Sequence, residues 1–195
     1  MESDPLGLIA GINTYGYVHN EPTLKADRFG LWSTDAHNLI LEHAFPNLTW
    51  GLQEAIETGS AIVDWGQGPS TAYQHETTAP GESIADARRK MCAFISDHLG
   101  AYNSLRQNPS PSSQYAAYFN LGEALHPIMD STSPAHAGWQ VWGNPLSPRW
   151  WFEWLNHGDS ADTIEDVAHL SPALLAETVI RIHDAMNGAG VCGCR

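Results

Sequence analysis

The stretch from Leu121 to His136, LGEALHPIMDSTSPAH, carries three side chains of the kinds that bind metal ions. His126 and Asp130 are four positions apart, so on an α-helix they project from the same face. Pro134 should end that helix, and the turned chain can bring His136 back towards the same face. Imidazole and carboxylate form a ligand set for zinc. A histidine and an aspartate at this spacing also occur as a surface pair or as a satisfied core histidine, and the third side chain favours a metal site.

The residues around His126 predict the helix that would position it. Apolar side chains recur there at helical spacing, at Tyr115, Tyr118, Phe119, Leu121, Leu125, Ile128 and Met129. Such a stripe packs against other helices, so we expect His126 and Asp130 to lie on an inward-facing helix of a bundle. Pro127 lacks a backbone N–H and should kink the helix beside its own ligands.

Further segments with helical periodicity surround this one. A first helix is predicted to begin after Ser33 or Thr34 and to end before Pro46. The other predicted helices cover residues 50–63, 84–100 and 163–187, the last with a break near Ser171-Pro172. Ser83 with Asp86 would act as a capping box for the helix over 84–100. Strand signals are nearly absent after residue 31, so the fold class is predicted to be mostly α, a helical bundle.

These helices should bury apolar side chains on one face. The inward-facing positions are predicted to be Ile84, Met91, Cys92, Phe94, Ile95 and Leu99 in one helix and Leu174, Leu175, Val179, Ile180, Ile182 and Met186 in another. Cys92 is therefore expected to be a core thiol. Three cysteines do not make a disulfide framework, and Cys192 and Cys194 could form a strained bridge, bind metal weakly or have no role.

The charge of the chain argues against one class of partner. The sequence has 195 residues and a formal net charge of −13, with ten histidines beside nine lysines and arginines. An acidic surface repels phosphate backbones, so no nucleic acid is expected to bind through a basic patch, although bound metals could offset the charge locally. The start, MESDPLGLIAG, lacks the features of a signal peptide, and no apolar run is long enough to span a membrane.

The Leu121–His136 stretch resembles the signature of the bacterial zinc-dependent phospholipase C family, L-G-x-[AS]-[LM]-H-x-x-x-D-x-x-x-P-x-H, without a gap. One departure is Pro127, where that family usually carries an aromatic residue. Pro80-Gly-Glu-Ser83 also resembles the P-x-x-G-E-S entry to one of the family's helices. The resemblance covers residues 32 to about 165 and implies a helical bundle with metals in its cleft, the fold that the family shares with three-zinc nucleases.

The family supplies further metal ligands before this stretch. Its mature members begin with a tryptophan whose free amine and carbonyl bind a metal, followed by a ligand histidine, and Trp32 and His37 match these. An aspartate after a helix and a histidine in the next loop match Asp64 and His75. The resemblance implies one zinc on Asp64, His75, His126 and Asp130 and a second on Trp32, His37 and Asp130. Trp32 could instead be a core anchor, and His37 a residue of the polar face.

A third zinc is the part of the resemblance that matches worst. The family supplies a His-x-x-x-Glu pair, but His157 is followed four residues later by Ala161. Glu153 precedes His157 by four residues and could share a helix face with it. The third zinc, making up to three, would then be held by His136, His157 and an acidic partner such as Glu153.

The activity that the resemblance implies is hydrolysis of glycerophospholipids to diacylglycerol and a phosphorylated headgroup, at a phospholipid membrane surface. Asp64 and Asp130 would be the catalytic carboxylates, with Asp64 as a base and Asp130 as the bridge between metals. The first alternative is a zinc-dependent single-strand nuclease on the same fold, which the five-residue spacing of Trp32 and His37 favours. The second is a non-enzymatic protein that uses zinc for folding or disrupts membranes.

Residues 1–31 differ from the rest of the chain. Asp4-Pro-Leu-Gly-Leu8 and Asp27-Arg-Phe-Gly-Leu31 are near repeats, and between them lie a tyrosine-rich N-x-Y-x-Y-V segment and the turn signal Asn20-Glu-Pro22. This pattern resembles the end of an Rhs-repeat-associated core, with Arg28 where that family usually has proline. The same residues could also form an ordinary β-hairpin linker.

In Rhs proteins the core is a β-shell around a variable C-terminal toxin, and the chain is cut after the second motif. The resemblance implies that Asp4 and Asp27 act in self-cleavage of the Leu31–Trp32 bond, which separates segment 1–31 from a toxin domain over 32–195. It further implies a secreted antibacterial effector delivered into a target cell, through type VI secretion. The Rhs shell and a cognate immunity protein would be its partners.

Tryptophans crowd the segment after His136, at Trp139, Trp142, Trp150, Trp151 and Trp154. They could form a packed rim of the core. They could also form an interfacial surface, because indole rings favour the lipid headgroup layer, or hold a choline-type cation against their faces.

Overall fold

Helices provide nearly all the regular structure in the part of the chain that the computed structural model describes, which is residues 34–66, 68–133, 139–142 and 170–188. The elements are α1 (Thr34–Ala44), α2 (Trp50–Trp65), a 3₁₀-helix (Ala72–His75), α3 (Ile84–Leu105), α4 (Pro111–Asp130) and α5 (Pro172–Met186). Extended pairing within these ranges is limited to an isolated parallel bridge between Thr78 and Val141. The prediction of a mostly α fold is confirmed, and segment 1–31 lies outside the described residues.

Helix α4 is the element on which the others pack. Its strongest contacts are with α2 and α3, and it also touches α1, α5 and the 3₁₀-helix. From Leu121 to Asp130 all residues but Glu123 are buried, including the polar His126 and Asp130. An apolar stripe along this helix forms the centre of the core, so the two polar side chains are carried inside with it.

Helices α2 and α4 are in backbone contact where they cross. A Cβ atom added to Gly59 would lie 2.0 Å from the carbonyl oxygen of Phe119, and one added to Gly122 would lie 2.0 Å from the carbonyl oxygen of Ile56. Real Cβ atoms do not approach oxygen so closely, so both positions require glycine. The crossing therefore brings the C-terminal half of α2 directly against the middle of α4.

Helices α1 and α5 pack on each other, and both also contact α4. Ile40 and Leu41 of α1 and Ile182 of α5 are fully buried. Two buried threonines join α5 to the turn after α4, since the hydroxyls of Thr132 and Thr178 lie 2.8 Å apart. Helix α5 is thereby joined to the end of α4, where Asp130 lies.

Residues 139–142 pair with the chain just after the 3₁₀-helix. The N–H of Thr78 donates to the carbonyl of Gln140 at 2.9 Å, and the N–H of Trp142 donates to the carbonyl of Thr78 at 2.7 Å. The Trp142 ring consequently lies 6.0 Å from the ring of His75. One of the clustered tryptophans is therefore next to the candidate site, whereas Trp150, Trp151 and Trp154 lie outside the described residues.

The predicted helix ends are partly right. Ser83 caps α3 by accepting a hydrogen bond from the N–H of Asp86 at 3.1 Å, and Ser171 and Pro172 begin α5 as the break predicted. Helix α4 contains Pro127 and ends at Asp130, ahead of the predicted stop at Pro134, because Ser131 and Thr132 turn the chain with hydrogen bonds to the last helical carbonyls.

Several predicted burial positions are wrong. Three residues expected to face inward are instead solvent-exposed: Tyr115, Ile84 and Ile180. The first two lie near the ends of their helices, and Ile180 lies on the outer face of α5, where no described helix covers it. Cys92 is half-buried and disulfide-bonded, which corrects its assignment as a core thiol; Cys192 and Cys194 lie outside the described residues. None of the described helices is both long enough and apolar enough to cross a membrane.

The glycine crossing gives a direct test of this packing. Gly122→Ala is expected to lower the free energy of unfolding by about 2–3 kcal/mol, because the new methyl group must push the two helix backbones apart. Gly100→Ala is the matched control, since a Cβ at this exposed helical position meets nothing within 4 Å. That change should raise stability by about 0.5–1 kcal/mol. Urea denaturation of both variants measures the difference, and equal effects would contradict the crossing.

Candidate metal centre

Five polar side chains from four elements meet inside the bundle. His37 comes from α1, Asp64 from the last turn of α2, His75 from the end of the 3₁₀-helix, and His126 and Asp130 from α4. The three histidines and Asp130 are buried, and Asp64 alone reaches solvent, with 12% of its side chain exposed. The five are the residues predicted for the first two metals, apart from Trp32.

Local structure explains how each side chain reaches the cluster. His126 and Asp130 are one turn apart on the buried face of α4, as their spacing predicts. Asp64 follows the glycine crossing by five residues, so the close approach of α2 and α4 brings it to the same place. The 3₁₀-helix packs on α4 and ends in His75, and α1 supplies His37 from its first turn.

Asp130 connects the three histidines. Its Oδ1 lies 3.0 Å from Nε2 of His37, and its Oδ2 lies 3.1 Å from Nδ1 of His75 and 3.1 Å from Nε2 of His126. One carboxylate therefore faces imidazoles on both of its oxygens. This arrangement is compatible with a carboxylate that bridges two cations.

Three ligand-type atoms form a nearly equilateral triangle. Nδ1 of His75 and Nε2 of His126 are 3.1 Å apart, and each is 3.1 Å from Oδ2 of Asp130. Ligand atoms around a tetrahedral zinc are about 3.3 Å apart, given metal–nitrogen distances of about 2.0–2.1 Å. Hydrogen bonds do not account for all three edges, because each neutral imidazole carries only one N–H.

Asp64 links the two halves of the cluster from the α2 side. Its Oδ2 lies 3.5 Å from Nδ1 of His37, and its Oδ1 lies 3.4 Å from Nε2 of His126. Two trios therefore have the geometry to hold a metal ion, each with ligand atoms within 4.8 Å of one another: His37, Asp64 and His126, and His75, His126 and Asp130. His126 belongs to both trios.

Unsatisfied polar atoms support a cation at this place. Among the described residues, no hydrogen-bond partner faces Nδ1 of His37, Oδ1 of Asp64 or Nε2 of His75, although all three atoms are buried. A buried polar atom without a partner costs about 1–3 kcal/mol. A metal ion would satisfy lone pairs at the first two. The donor set, three imidazoles and two carboxylates, fits a divalent cation such as zinc.

Burial and neighbouring charges shift the pKa values of the residues in the cluster. Burial lowers the pKa of His37, but the nearby carboxylates of Asp130 and Asp64 outweigh burial and raise it to about 10. Burial is also the largest influence on Asp130 and favours its neutral form, yet the three histidines hold its pKa well below the ordinary value. Burial lowers the pKa of His126. Without metal, His37 thus carries the proton that a cation must displace.

Glu76 is a functional candidate that the sequence analysis missed. It follows His75 directly and has a backbone φ of 50°, an uncommon left-handed conformation for a residue with a side chain. Burial and the charge of Asp130 raise the pKa of Glu76 to about 7, against the opposing charges of Arg181 and Arg88. In the sequence, Glu76 is marked only by its position directly after His75, a predicted ligand.

Ser60 is a second residue that the sequence analysis missed. Its Oγ lies 3.2 Å from Nδ1 of His126, on the side of the ring away from Asp130. A serine within an apolar helical run gave no signal, because its partner is more than sixty residues away in the sequence.

The remaining predicted ligands lie outside the described residues: Trp32, His136, Glu153 and His157. Two of the other histidines have separate partners. His98 contacts Glu123 at 3.0 Å, and Nδ1 of His43 contacts the carbonyl of Leu39 at 2.9 Å. The predicted third metal therefore has no described ligand, whereas every described ligand of the first two belongs to one cluster.

Comparison of the chain with protein-family models, curated proteins and solved structures gives no significant match. A functional proposal for this chain therefore rests on the geometry of the cluster and on the motif resemblance.

The raised pKa of His37 predicts how the metal-free protein responds to pH. A histidine with a higher pKa in the folded state stabilises the fold fully below its unfolded pKa of 6.5, and this contribution is lost as pH rises towards about 10. The free energy of unfolding of chelator-treated protein should fall between pH 7 and 9. Bound metal should reverse this trend, because it takes the deprotonated imidazole.

Two histidine variants on α1 make the pH experiment specific. His37→Gln should flatten the slope in the metal-free protein, whereas His43→Gln, on the exposed side of the same helix, should leave it unchanged. Urea denaturation at several pH values measures both. An unchanged slope in His37→Gln would contradict the assignment.

Proposed function

We propose that this protein is a zinc-dependent phosphodiesterase, a phospholipase C-like hydrolase that splits glycerophospholipids into diacylglycerol and a phosphorylated headgroup. The observation that carries the proposal is the position of Asp130. Its carboxylate faces His37 with one oxygen and both His75 and His126 with the other. Two adjacent cations bridged by a carboxylate are a recurring arrangement for hydrolysis of phosphate esters.

The proposed ligand sets are those that the motif resemblance implies. Asp64, His75, His126 and Asp130 would hold one zinc, and His37, Asp130 and the amine and carbonyl of Trp32 would hold the second. The contact of Asp64 with both His37 and His126 supports a place for this carboxylate between the two sites. A third zinc on His136, His157 and Glu153 stays part of the proposal on the resemblance alone.

Zinc at these sites would supply a water of lowered pKa as nucleophile and stabilise charge on the phosphate oxygens. The chain's own residues would contribute the rest. Asp64 is the ligand that reaches solvent, with 12% of its side chain exposed, so this carboxylate is positioned to accept a proton from water. Asp130, fully buried and ionised, would hold the imidazoles in place.

Apolar side chains near the cluster favour a lipid substrate. Trp65, directly after Asp64, is 58% exposed. Val141 is exposed next to Trp142, which lies beside His75. Indole and aliphatic groups at the mouth of a site suit the headgroup and upper acyl region of a membrane. The net charge of −13 disfavours a polyanionic substrate.

The biological setting in this proposal is that of an Rhs-type effector toxin with antibacterial action. The chain would be delivered into a target cell by type VI secretion, inside the Rhs shell of its parent chain, and a cognate immunity protein would neutralise it. The motifs of residues 1–31 support this setting.

A single-strand nuclease on the same ligand set is the second candidate, and the Trp32–His37 spacing favours it. A membrane-disrupting toxin without catalysis is the third. His126→Ala separates the third candidate from the two enzymes. If the metal has only a structural role, the variant should lose toxicity only in proportion to its loss of thermal stability. If the protein is a lipase or a nuclease, toxicity should fall further than that.

Hydrolysis can be measured on phosphatidylcholine vesicles with zinc present. The wild-type protein should release diacylglycerol, and Asp130→Asn should lower the rate more than about 100-fold, because it removes the bridging charge. Asp97→Asn, an exposed change on α3, is the matched control and should retain full activity. Zinc-loaded protein that releases no diacylglycerol would refute the lipase, and cleavage of single-stranded DNA in a parallel reaction would favour the nuclease.

Cleavage of the Leu31–Trp32 bond should switch the activity on. An amide nitrogen is a poor metal ligand, whereas the free amine of Trp32 would complete the second zinc site. A chain that begins at Trp32 is expected to bind one more zinc and to be more active than the uncut 195-residue chain. Equal activity and equal zinc content of the two chains would rule out this latency.

A further inference from the structure

We infer that Ser60 is a positioning residue that sets the orientation of His126 at the metal centre and accepts a hydrogen bond from its Nδ1–H when metal is bound. The inference deepens the proposed function and rests on it. Ser60 has not been counted among the ligands, since it lies on the opposite side of the imidazole from Asp130.

The contacts of His126 divide between its two ring nitrogens. Nε2 faces the cluster, 3.1 Å from Oδ2 of Asp130 and 3.4 Å from Oδ1 of Asp64. Nδ1 faces α2, 3.2 Å from Oγ of Ser60. Nε2 is therefore the nitrogen that would bind metal, and Ser60 is the partner of the other nitrogen.

A hydroxyl group is a suitable partner for Nδ1 of His126, because this nitrogen carries a proton in one state and a lone pair in the other. When Nε2 gives its lone pair to a metal, the single proton of the neutral ring must sit on Nδ1, which then needs an acceptor. The Ser60 oxygen lies at hydrogen-bond distance for this. Without metal, Nε2–H can donate to Asp130, and the hydroxyl can rotate and donate to Nδ1. A serine serves both states, whereas a carbonyl oxygen would serve only the first.

The helix crossing explains why so short a side chain reaches the ring. Gly59 precedes Ser60, and a Cβ on Gly122 would lie 2.8 Å from the backbone nitrogen of Ser60. The backbones of α2 and α4 are therefore in contact at this level. Ser60 and His126 are both almost completely buried, so water does not readily replace the hydroxyl as acceptor.

The alternative is that Ser60 only fills space at the crossing. Alanine has nearly the same volume and suits a helix, so Ser60→Ala should fold in either case. The two roles differ in what happens to metal binding. Loss of a hydrogen-bond partner from a ligating histidine typically lowers metal affinity about 10–100-fold.

The test compares zinc binding by Ser60→Ala and by Ile56→Val, using a competing chelator. Ile56 is buried one turn earlier on α2 and touches Gly122 through its carbonyl, so Ile56→Val should lower stability slightly without changing zinc affinity. Ser60→Ala should weaken zinc binding about 10–100-fold with stability close to wild type. Affinity within about twofold of wild type would overturn the inference.

Imidazole NMR of the zinc-loaded protein provides a second measurement that packing alone would not alter. Wild type should show a hydrogen-bonded Nδ1–H resonance of His126, assigned by its loss in His126→Gln. In Ser60→Ala this resonance should shift upfield or exchange faster with water. An unchanged resonance would also overturn the inference. If the wild-type protein itself binds no zinc, the proposed function has failed, and this outcome is distinct from equal binding by the two variants.

Discussion

The structure depends on the burial of one carboxylate among three imidazoles. Asp130 is completely buried, and its negative charge is stabilised by His37, His75 and His126. A buried charge without partners would cost several kcal/mol, so the elements that carry these histidines cannot move away independently. Helices α1 and α4 and the 3₁₀-helix are therefore fixed by their polar interior as well as by their apolar faces. A core of this kind holds an excess of lone pairs, which is the requirement for binding a cation.

Packing and chemistry are connected through the crossing of α2 and α4. Glycines on both helices allow backbone contact, and this contact brings Ser60 to one nitrogen of His126 and Asp64 to the other side of the ring. The contact between α2 and α4 thus sets the orientation of the His126 imidazole, although the residues at the contact are not themselves ligands. Helix α5 adds the Thr132–Thr178 contact just beyond Asp130, which secures the end of α4.

The sequence alone predicts some parts of the fold and of the candidate site but not others. The spacing of His126 and Asp130 predicts a shared helix face because the helical repeat is fixed, and Asp64, His75 and His37 followed from a motif resemblance. The predictions for Cys92 and Ile180 are wrong, since periodicity predicts a helix face but neither a disulfide bond nor what covers that face. Ser60 and Glu76 could not be found this way, because their roles depend on contacts between distant segments and on a left-handed backbone conformation.

We propose that these imidazoles and carboxylates converge because they bind zinc. Anomalous X-ray scattering at the zinc absorption edge, from crystals of protein purified without added chelator, tests it most directly. We expect a strong peak among Nδ1 of His75, Nε2 of His126 and Oδ2 of Asp130, with a second near His37 on the other side of the carboxylate. A map of the ordered cluster without such a peak, even after crystals are soaked in zinc, would contradict the proposal.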